Sequence, residues 1–144
     1  MFPMKILLVE DDPGHARLIE KSLRRAGITN DITVFDNGQG VLDYLSTPPC
    51  GDGTYKCVLI LLDLNLPILN GYQVLERLKA DEGTKHIPVI ILTTTGVPQD
   101  VERCYNLGCN IFIAKPIQSD EFSEAIRKLG MLLTIIKVPP FNCP

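Results

Sequence analysis

The chain has 144 residues, 45% of them apolar and 22% charged, with a formal net charge of −3. That composition describes one ordinary globular domain with enough apolar matter for a proper core, and the acidic balance argues against a protein built to grip phosphate backbones. Five cysteines at irregular spacing, with no CxxC, indicate neither a disulfide framework nor a zinc site.

Taken along the chain, KILLVE (5–10) is an apolar run ending in acid, expected as a strand. Asp12-Pro13 then opens a helix, with a capping residue and a proline in the first turn. Ala16, Ile19, Leu23 and Ala26 recur at spacings of 3, 4 and 3, and Gly27 stops the helix. A short strand, ITVF (32–35), leads to a helix carrying Val41, Leu42 and Leu45. The Pro- and Gly-rich stretch STPPCGDGTYK (46–56) reads as a surface loop.

CVLILLD (57–63) is a second unbroken apolar strand, followed by a helix with Val74, Leu75 and Leu78. PVIILT (88–93) is another strand, 98–107 a helix and NIFIAK (110–115) the last strand. A final helix starts near Ser119 and carries Phe122, Ile126, Leu129 and Leu133. Because the N-terminus meets acid early, no secretory leader is expected. The longest apolar run falls short of the ~20 residues that a membrane span needs. The expectation is therefore cytoplasmic, with no membrane contact and no nucleic acid. Short basic clusters such as Lys21, Arg24 and Arg25 read as a solvated helix face.

Strands alternating with helices imply an α/β fold, a parallel sheet covered by helices on both faces. In such folds the functional crevice opens at the carboxyl ends of the strands. Glu10-Asp11, Asp63, Thr93 and Lys115 each close a strand. An unpaired buried carboxylate costs several kcal/mol, so Asp63 must either face water or meet a cation. Three carboxylates brought together repel unless screened, and a small set of oxygen ligands suits Mg²⁺. With Lys115 as a fixed positive charge and Thr93 as a hydroxyl, the natural occupant is a phosphoryl group on Asp63.

Four segments, LLVED, LILLDLNLPILNG, PVIILTTT and FIAKP, arrive in an order and spacing that resembles the receiver domain of two-component response regulators, over roughly residues 4–130. The resemblance implies a flavodoxin-like, doubly wound five-stranded sheet in the order 2-1-3-4-5. It implies Mg²⁺-dependent phosphotransfer from a sensor histidine kinase to Asp63. It makes Glu10 and Asp11 the acidic pair, Asp11 the more direct metal ligand, and Asn65 a donor of its backbone carbonyl to the metal. Thr93 and Lys115 become the switch hydroxyl and the phosphoryl-pairing lysine, Phe112 the rotating aromatic, and Pro116 a cis-proline candidate. DLNLP, HIPVIILTTT and the long loop before the third strand are further similar to the cyanobacterial phytochrome-associated response regulators, which consist of a receiver alone and many of which dimerise. Two features depart from the family pattern: Glu10 where many receivers have aspartate, and the bulky Thr94 after the switch threonine.

Plainer roles stand beside these. Asp12 is a helix cap, Glu10 could be a solvated strand end, Asn65 could merely shape the turn before Pro67, and Phe112 could be core. His15 and His86 read as surface residues without a metal-ligand partner at helical spacing. The chain reads as one domain over 1–144 with an apolar extension at about 131–144. In LGMLLTIIKV (129–138), Leu132, Leu133, Ile135, Ile136 and Val138 wrap most of a helical turn. More apolar surface than one contact buries points to a homodimer through the last helix region. With no room for an output domain, the signal is expected to leave through a downstream protein partner.

Two other functions fit less well. A phosphatase with an Asp-x-Asp core needs a proton-exchanging acid where Asn65 stands. A flavin module needs a phosphate-binding loop where EDDP supplies acid. The expected protein is a signalling switch and not an enzyme, with a receiver signalling independently of phosphate as the alternative.

Overall fold

A computed structural model describes residues 4–46, 57–94 and 97–114, together with Glu124 and Arg127. Lys115, Pro116, most of the loop expected over 46–56, and all of the expected last helix and its apolar continuation except Glu124 and Arg127 lie outside the described residues. In chain order the elements are β1 (Met4–Val9), α1 (Pro13–Arg25), β2 (Ile32–Phe35), α2 (Gly38–Ser46), β3 (Cys57–Leu62), α3 (Gly71–Ala80), β4 (Val89–Thr93), α4 (Pro98–Asn106) and β5 (Ile111–Ala114). The strands form one parallel sheet in the order β2-β1-β3-β4-β5, as the family resemblance implies.

The unbroken apolar runs are explained by two cores, one on each face of the sheet. Successive strand side chains point to opposite faces. Ile6 and Leu8 of β1, Leu59 and Leu61 of β3, and Ile90 and Leu92 of β4 pack with Ala16, Ile19 and Leu23 of α1. Their neighbours Leu7, Val9, Ile60, Leu62, Val89 and Ile91 pack on the other face with residues of α2, α3 and α4. The edge strands depart from this pattern. β2 and β5 hold no fully buried residue, and Val34 is exposed, because an edge strand has a neighbour on one side only.

The helix ends follow the sequence signals. The Asp12 carboxylate accepts hydrogen bonds from the N–H groups of Gly14 and His15 at 2.8 and 3.2 Å, and α1 ends before Gly27. Asn70 and Gln73 form a reciprocal capping box at the start of α3. At the end of α4 the N–H of Gly108 reaches the carbonyl of Tyr105, and that of Cys109 the carbonyl of Cys104. Gly108, at φ +105°, supplies the left-handed residue that this closure requires. Cys104 and Cys109 are free and buried. Burial pushes the Cys104 thiol up to about 11 and raises that of Cys109 as well, which keeps both protonated as packing groups.

Candidate functional site

Strand register brings the acidic residues together. Val9 stands beside Leu62 across β1–β3, so Glu10 and Asp63, each one residue beyond its strand, lie side by side. Their backbones are tied into the sheet rim, the Glu10 N–H to the Phe35 carbonyl at 2.9 Å and the Asp63 N–H to the Val9 carbonyl at 3.1 Å. Glu10, Asp11 and Asp63 each present a carboxylate oxygen, and these oxygens lie within 4.8 Å of one another. Glu10 is 3% and Asp63 6% exposed, while Asp11 faces solvent. Glu10 is therefore not a solvated strand end.

Local hydrogen bonds orient the buried pair. The Asp12 N–H donates to a Glu10 oxygen and the Asn65 N–H to an Asp63 oxygen, each at 3.3 Å. Asn65 is itself exposed. The chain then turns sharply into α3, and this turn needs a glycine. A Cβ on Gly71 would stand 2.3 Å from the Asp63 carbonyl oxygen and 2.6 Å from the Leu64 Cα. In the same turn Ile68 holds φ at +70° while 77% exposed, a strained conformation for a β-branched residue.

Thr93 closes β4 and is fully buried. With Leu62 opposite Ile91, it lies one residue beyond the level of Asp63. Thr94 is exposed. Phe112 is half-buried against the core shared by α2, α3 and α4, and its N–H donates to the Tyr105 hydroxyl at 3.2 Å. The described part of β5 ends at Ala114, opposite Thr93; Lys115 follows, outside the described residues.

Two features were not legible from spacing. His15 has a side chain 41% exposed, and its Nδ1 lies 3.7 Å from a Glu10 oxygen and 3.9 Å from Asp12. Its N–H also donates to the Asp12 carboxylate at 3.2 Å, which places it in the first turn next to the rim. The second feature is a polar contact between helices. The Tyr72 hydroxyl of α3 donates to Asp100 of α4 at 2.7 Å, and the Arg103 guanidinium stacks 3.8 Å from the Tyr72 ring centre. Burial and this bond push the Tyr72 hydroxyl up to about 12. The one sequence signal was the Asp100–Arg103 spacing on a single helix face, which does not reveal a partner on another helix.

Three oxygen donors without nitrogen or sulfur fit a hard divalent cation such as Mg²⁺ or Mn²⁺. Two buried carboxylates this close call for such a charge, and the exposed Asp11 leaves the cluster open to water and to an anion. Among the described residues no helix is long and apolar enough to cross a membrane.

The chain is similar to known proteins in sequence and in fold. A family model described as the response regulator receiver domain matches residues 6–127. The crystal structure of a response regulator receiver domain from Rhodospirillum rubrum is 43% identical, with a TM-score of 0.83 over 96% of this chain and 99% of that one. Response regulator Rcp1 from Synechocystis is 34% identical over 78% of this chain and 77% of its own length. The crystal structure of the Mn²⁺-bound form of response regulator Rcp1 superposes with a TM-score of 0.81 at 30% identity, over 95% of this chain and 99% of that one. The phosphorylated cyanobacterial phytochrome response regulator RcpA gives 0.82 at 30% identity, with the same coverage.

Proposed function

This chain belongs to the response regulator receiver family, and on that premise we propose that it accepts a phosphoryl group from a sensor histidine kinase on the Asp63 carboxylate. One observation carries the reading: the carboxylate oxygens of Glu10 and Asp11 meet that of Asp63 within 4.8 Å, at the carboxyl end of the central strand.

In the proposed transfer an Asp63 oxygen forms a bond to phosphorus as the bond from phosphorus to the kinase histidine nitrogen breaks. The Asn65 N–H holds one Asp63 oxygen at 3.3 Å, which limits how the carboxylate can rotate. Glu10, Asp11, Asp63 and the Asn65 carbonyl are the residues that would hold Mg²⁺. When bound, the cation neutralises negative charge that would otherwise keep a phosphoryl donor away. Thr93 would hydrogen-bond the phosphoryl group, Lys115 would pair with it, and Phe112 would follow the movement of Thr93.

The similarity to RcpA supports a kinase of the phytochrome type. The reading further includes a cytoplasmic location, homodimerisation through the last helix region and signalling through a downstream protein partner. It assigns the chain a signalling role rather than turnover of a substrate. Incubation with acetyl phosphate and Mg²⁺ is expected to add one phosphoryl group, observed by intact-protein mass spectrometry, and Asp63→Asn is expected to abolish the addition. Undiminished addition in that variant would overturn the assignment.

A further inference from the structure

We infer that Tyr72 is a positioning residue for this switch: its hydroxyl holds the first turn of α4 through Asp100, and so resists the movement that phosphorylation of Asp63 drives. The inference rests on the receiver reading and adds to it a residue outside the acidic cluster. α4 buries a single side chain, Cys104, so apolar packing holds its start weakly. Val97, at the N-cap, makes no side-chain hydrogen bond to the helix, and the first turn lacks the anchor that Asp12 and Asn70 give α1 and α3. Among the described residues, the side-chain hydrogen bond on that turn comes from the neighbouring helix. The Tyr72 hydroxyl donates to Asp100 at 2.7 Å, and Arg103, one turn on, lies flat against the same ring.

The position of this contact gives it a role. Tyr72 follows Gly71, whose N–H is bonded to the Leu64 carbonyl at 2.9 Å, and so is fixed to the turn that carries Asp63. Asp100 stands seven residues after Thr93, at the far end of the connection from β4. If Thr93 is drawn toward a phosphoryl group on Asp63 and the start of α4 follows it, the bond from Tyr72 opposes that movement. A contact that favours one position of an element biases any ligand whose binding favours the other.

The test uses the full chain with Mg²⁺ and beryllofluoride, an acyl-phosphate mimic, followed by calorimetry and fluorine NMR. Tyr72→Phe keeps the ring and the Arg103 stack but removes the donor, and it is expected to tighten beryllofluoride binding by about fivefold, the low end of couplings between sites. Asp100→Ala is expected to do the same, with the double variant no tighter than either single one. Asp100→Asn, which keeps an acceptor oxygen, is expected to stay near the parent. A purely structural bond would lower thermal stability in Tyr72→Phe without tightening the mimic. Unchanged or weaker binding in Tyr72→Phe, or additive effects in the double variant, would overturn the inference. Failure of the parent chain to bind beryllofluoride at all would instead overturn the receiver reading on which it stands.

Discussion

α3 and α4 contribute to the same core, yet they are held by different forces. α3 buries Gly71, Val74, Leu75 and Leu78 and starts with a capping box. α4 buries Cys104 alone, starts at an uncapped valine and reaches its neighbours through Tyr72–Asp100, Arg103 and the Tyr105–Phe112 bond. Buried leucines must leave a cavity or bring in water when they move, which is costly. Hydrogen bonds at half-exposed positions can be exchanged for bonds to water at a net cost of about 1 kcal/mol each. The helix after the Asp63 turn is thus a fixture, and the helix after Thr93 is the one the fold can spare. Low-stability elements are where switching motion is drawn from.

Substitutions can break this contrast directly. Leu75→Ala is expected to cost about 3 kcal/mol in denaturant unfolding, against about 1 kcal/mol for Cys104→Ala. Equal losses would mean that α4 is as firmly packed as α3. Giving α4 the cap it lacks sharpens the same point. Val97→Asp is expected to raise stability by about 1 kcal/mol, because Val97 already has the extended backbone of a cap residue. The smallest effect is spectroscopic. Tyr72 is expected to ionise at about 12 rather than near the ordinary value of 10. Its folded-state value lies above the unfolded one, so its contribution to stability is complete below pH 10. That contribution is lost between about pH 10 and 12, as the unfolded chain gives up the proton first. Absorbance titration at alkaline pH reads this, and Asp100→Ala should bring the late transition down.

How far the sequence could be read follows from the same physics. The rim was legible because its chemistry is local: apolar runs ending in Glu10, Asp63 and Thr93 need only strand register to converge. The caps at Asp12 and Asn70 act within one turn, and of the two Asp12 is announced by the proline behind it. The last strand was expected over 110–115 and is described over Ile111–Ala114. The expected roles of Lys115 and Pro116 lie outside the described residues. The Tyr72–Asp100 bond spans 28 residues and joins two helices, so no periodicity announces it. His15 lies at the surface as its place on the helix implies, but a helical pattern does not show that its ring comes within 3.7 Å of Glu10.

The sheet itself divides the molecule like a bulkhead. Ile6 and Leu7 are covalent neighbours, but they answer to different cores. Loosening the chamber behind α1 leaves the chamber behind α3 sealed, and injuries to the two sides should sum rather than compound. A lineage of such chains could therefore revise one side at a time, keeping the wall between them and the acidic rim above it intact.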